Sequence, residues 1–74
     1  MIRYDPLWQT LKAKGMNKGD LQKITGLSST TIAKIGKNES VTLDVVDRIC
    51  KALAVPIYDV VESIEEESPS SNSI

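Results

Sequence analysis

Two short helical stretches of this chain are separated only by Thr25-Gly26-Leu27-Ser28. Helices joined that tightly around a glycine cannot fold back antiparallel, so they must cross at a steep angle. Gly26 supplies the backbone freedom for the turn. The first of the pair starts at Asn17, which with Asp20 has capping-box spacing. The second is capped by Ser28 and runs to about Ile35. Gly36-Lys37-Asn38 then ends it, with Gly36 or Asn38 suited to a positive φ. The crossing predicts a shared interior of Leu21, Ile24, Leu27, Ile32 and Ile35.

The flanking segments are also helical by pattern. Asp5-Pro6 suits an N-cap followed by the first helical position. Leu7, Trp8 and Leu11 share one face, and Gly15 stops that helix. Trp8 is expected as core or lid. Thr42 caps a fourth helix whose stripe is Leu43, Val46, Ile49, Cys50 and Leu53. Cys50 on that stripe is expected to be an unreactive core thiol. Pro56 prevents continuation. A fifth helix is expected from about Ile57 to Ser63, with Ile57, Val60, Val61 and Ile64 apolar. No segment alternates long enough to predict a strand. Residues 65–74 are acidic and Ser-rich, cannot build a core, and are expected to be a disordered tail after a domain at 1–64.

Composition narrows the chemistry. The chain has 74 residues, no His and one Cys, which excludes the usual zinc sites and any internal disulfide. No metal, cofactor or small-molecule ligand is expected. Catalysis has no support either: there is no Cys–His pair and no phosphate-cradling glycine loop, and Asp44 and Asp47 read as a solvated pair. No apolar run is long enough to span a membrane, and the start lacks a signal-peptide core, so the expected compartment is the cytoplasm. The net charge of −1 conceals an asymmetry. Residues 1–58 hold all nine Lys and Arg against five acids, giving +4, and residues 59–74 hold five acids, giving −5.

With the interior assigned, the outward face of the third helix carries Ser28, Ser29, Thr30, Ala33, Lys34 and then Lys37. Free N–H groups and hydroxyls at a helix start suit a phosphate or a base edge. Ala33 is small enough for close approach, and Lys34 and Lys37 suit phosphates or guanine edges. Taken singly, each would be a cap or a surface residue; their shared face is what points to a polyanion. Arg48 and Lys51 fall on the polar face of the fourth helix and read as plain surface.

The run NKGDLQKITGLSSTTIAKIGK, from Asn17 to Lys37, resembles the helix-turn-helix of the Cro and phage-repressor (XRE-like) class. VTLDVVDRICKALAV, residues 41–55, is similar to the fourth helix of that class, and IYDVVE, residues 57–62, to its closing turn. The resemblance implies an all-α, five-helix lambda-repressor-like DNA-binding domain, with the third helix in the major groove of double-stranded DNA and the start of the second over the backbone. It places Asn17, Lys18, Ser28, Ser29, Thr30, Thr31, Lys34 and Lys37 at the DNA. The expected function is a sequence-specific transcriptional regulator, a repressor acting as a homodimer. The different reading is a protein-interaction module, an antitoxin or anti-repressor subunit with the same fold. The chain departs from common choices of the class at Gln22 (often Ala), Lys18 (often Gln) and Gly36 (often Glu).

Overall fold

The computed structural model describes residues 1–65. In order these form β1 (Ile2–Arg3), α1 (Asp5–Ala13), α2 (Lys18–Thr25), α3 (Ser29–Gly36), α4 (Leu43–Leu53), a 3₁₀ turn (Ile57–Asp59) and β2 (Glu62–Ser63). The expected tail lies outside the described residues, apart from Glu65. No helix among them is long and apolar enough to cross a membrane.

The helix starts follow the expected local chemistry with one exception. Asn17 and Asp20 form a reciprocal capping box on α2. Ser28 accepts the Thr31 N–H at the start of α3, and Thr42 accepts the Val45 N–H at the start of α4. Asp5, expected as an N-cap, is instead the first residue of α1. Tyr4 occupies the cap position without capping the helix through its side chain, and the Asp5 carboxylate turns back to Arg3 at 3.1 Å. Of the two candidates after α3, Asn38 takes the positive φ, at 57°.

The expectation of five helices and no strand is corrected by the C-terminal segment. Only Ile57–Asp59 coils, as one 3₁₀ turn. The chain then extends, and Glu62–Ser63 pairs antiparallel with Ile2–Arg3. The spacing of Ile57, Val60, Val61 and Ile64 would suit a helix, but residues 62–64 bond to the N-terminal strand instead, and Val60 is wholly buried while Ile57 is left half exposed.

The core is aliphatic except for Tyr4. It joins Leu7 and Leu11 of α1, Leu21 of α2, Leu27, Ile32 and Ile35 around the turn and α3, Val46, Ile49 and Leu53 of α4, and Val60. Trp8 and Cys50 pack partly buried against it. Two expected core positions are corrected. Ile24 is 46% exposed and flanks the polar side of α4 near Asp47 and Arg48. Leu43, the first residue of α4, is 77% exposed. The place expected for Ile24 is taken by Thr25, one residue on, which is buried.

Candidate nucleic-acid interface

The turn between α2 and α3 is built from Thr25 and Gly26. Gly26 caps α2 in the left-handed region at φ 73°, its N–H bonded to the Gln22 carbonyl. The Thr25 hydroxyl donates to the Leu21 carbonyl at 2.7 Å and accepts the Leu27 N–H at 3.3 Å. One side chain thus bonds back onto α2 and also satisfies a donor of the connection. Leu27 is anchored in the core beside it, and α3 departs at Ser28.

Burial of Ile32 and Ile35 fixes which side of α3 faces out. Ser28, Ser29, Thr30, Ala33, Lys34 and Lys37 are all exposed. Ser29, Ala33 and Lys37 are four apart, and Thr30 and Lys34 likewise, so these five form one stripe. Ser28 and Thr31 differ from the rest. The Ser28 Oγ accepts the Thr31 N–H at 3.2 Å and lies 3.0 Å from the Thr31 hydroxyl, and Thr31 is half-buried. Beside the stripe, α3 and the start of α4 enclose a hollow of about 380 Å³ lined by Thr31, Lys34, Ser40 and Thr42. In the sequence Thr42 stood out only as a helix cap and Ser40 not at all, because only the packing of α4 brings them beside α3.

Asn17 and Lys18 lie at the start of α2, both exposed. The Asn17 side-chain oxygen is committed to the Asp20 N–H at 2.8 Å. The Lys18 ammonium sits 4.8 Å from the centroid of the Trp8 ring, a cation–π contact. It also lies 3.3 Å from where a Cβ on Gly36 would stand. Lys18, Trp8 and Gly36 therefore meet at one point, although they belong to α2, α1 and α3. Gln22, the remaining departure from the class, is half-buried on α2.

The ion pairs involve other residues. Lys51 is paired with Asp47 at 3.0 Å along α4, and Arg3 with Asp5. Among the described residues those are the ion pairs, and neither involves Lys18, Lys34 or Lys37. Cys50 is half-buried, and its thiol is pushed up from its ordinary value, first by burial and then by the negative Asp47. It is a protonated packing group. No group of three or more His, Cys, Asp or Glu among the described residues is placed to hold a metal.

The model of the Cro/C1-type helix-turn-helix DNA-binding domain matches residues 6–66. No curated protein matches the chain. Among solved structures, the crystal structure of the transcriptional regulator VanUg, Form II, is 40% identical and superposes with a TM-score of 0.84. The match covers 88% of this chain and 87% of that one. A left-handed Gly26 turn between two short helices, an α3 with a hydroxyl and lysine stripe facing out, and these two likenesses agree. The chain belongs to the Cro/C1-type helix-turn-helix DNA-binding family.

Proposed function

We propose that this protein is a sequence-specific regulator of transcription that inserts α3 into the major groove of double-stranded DNA and acts as a repressor. The observation that carries the reading is the exposed stripe of Ser29, Thr30, Ala33, Lys34 and Lys37 on a helix whose opposite side is locked in the core. In this arrangement Thr30 and Ala33 meet base edges, and Lys34 and Lys37 meet phosphates or guanines. Ser28 and Thr31 brace the start of α3, and Asn17 and Lys18 approach the backbone from the start of α2. With α3 only eight residues long, one copy reads few base pairs, so two copies on paired half-sites are needed for useful specificity. Repression would follow from occupancy of the site.

Selection of bound duplexes from a random pool, with solution mass measured on and off DNA, tests this. A two-fold symmetric motif and two chains per duplex are the expected result. Lys34→Ala and Lys37→Ala should each lower the slope of log affinity against log salt by about one if the lysine meets a phosphate. Thr30 variants should change the selected motif. No enriched motif, together with binding indifferent to salt, would exclude the proposal and favour a protein partner instead.

A further inference from the structure

The meeting of Trp8, Lys18 and Gly36 is not explained by core packing. Lys18 is exposed, and its ammonium is held without a carboxylate among the described residues. Three features hold it. The indole face of Trp8 attracts the cation at 4.8 Å. The end of α3 presents the negative end of its dipole there. Gly36 has no Cβ, and one would stand 3.3 Å from the ammonium. A carboxylate would fix the same side chain but cancel its charge. An aromatic face fixes it and leaves the charge available to an anion.

We infer that Trp8 is a positioning residue for DNA binding: it holds the Lys18 ammonium at the start of α2, in place for one backbone phosphate. This rests on the proposed DNA contact of Lys18. Trp8 itself touches no base or phosphate in this arrangement. It removes the cost of ordering a long, mobile side chain when the duplex arrives. Since Trp8 is the only tryptophan of the chain, its emission also reports on the contact.

The test uses the full chain and its selected duplex, with Lys18→Ala, Trp8→Leu, Trp8→Phe and the Lys18→Ala/Trp8→Leu double variant. Binding is measured over a range of salt, and melting curves confirm that each variant is folded. Lys18→Ala should lower the salt slope by about one. Trp8→Leu should weaken binding about two- to fivefold, the size of an exposed cation–π contact, with the slope unchanged. The double variant should bind no worse than Lys18→Ala, and Trp8→Phe should recover most of the loss. Wild-type indole emission should change on adding duplex, and that change should be absent in Lys18→Ala. A Lys18→Ala variant with lower melting temperature and unchanged slope would overturn the inference, making the contact a clasp within the fold. Additive losses in the double variant would overturn it too. Failure of the wild type to bind any duplex would instead remove the DNA reading on which it rests, and shows before any variant is compared.

Discussion

Tyr4 shows how much one side chain can tie together. Its hydroxyl donates to the Glu39 carbonyl at 2.7 Å, and its N–H donates to the Asn38 side chain at 3.1 Å. The start of α1 is thereby pinned to the loop between α3 and α4. Burial raises the Tyr4 phenol above its ordinary value, with the Val41 backbone opposing it. The protonated form is thus favoured in the fold, and the unfolded chain loses the proton first. The stabilisation is complete below about pH 10 and is lost as pH rises through the raised folded value. Urea unfolding between pH 8 and 11 (a range set by the ordinary phenol value of about 10) should show this alkaline loss in the wild type and less of it in Tyr4→Phe. At neutral pH that variant should be weaker by about 1 kcal/mol, for one lost hydrogen bond. Ala54 offers the opposite case. It ends α4 at φ 58°, where a side chain is strained. Ala54→Gly should stabilise by about 1 kcal/mol and raise the melting temperature by several degrees.

At the scale of the element, what could be read from the sequence was what neighbours along the chain decide. The caps at Asn17, Ser28 and Thr42 depend on groups three residues away, and all three stand where the residue types predict. The outward stripe of α3 was legible for a similar reason, since Ile32 and Ile35 orient the helix and the rest follows from its period. The Ile24 position was misread because Thr25 counts as polar until its hydroxyl has a partner. Bonded to the Leu21 carbonyl, it packs inward as an aliphatic residue would. Thr25→Val keeps the shape but leaves the Leu27 N–H without its acceptor. It should cost about 1–3 kcal/mol in denaturant unfolding and lower DNA affinity through a loosened α2–α3 angle. A variant as stable as wild type would show that the turn rests on Gly26 alone. The Trp8–Lys18–Gly36 contact was illegible because it depends on how three separate helices cross, which no local pattern sets.

For the whole molecule, charge is handled in two ways. The lysines of α3 stand outside any ion pair among the described residues, whereas Lys51 and Asp47 of α4 are paired. The fold is closed by its ends. The Ile64 N–H donates to the Met1 carbonyl at 2.7 Å, and the Met1 amine donates to the Ile64 carbonyl at 3.0 Å. No local pattern announces this ribbon, since each strand is two residues long and its partner stands at the far end of the fold. That separation has a kinetic consequence. A two-stranded ribbon is at best marginal alone, and this one must close a loop spanning nearly the whole fold before its bonds form. The helices, whose contacts are local, can assemble first, so the ribbon is the last part to form and the first to open. Hydrogen exchange should therefore find the Ile64 amide far less protected than those of Ile49 and Leu53. Equal protection at all three would mean that the ribbon and the helices unfold as one unit.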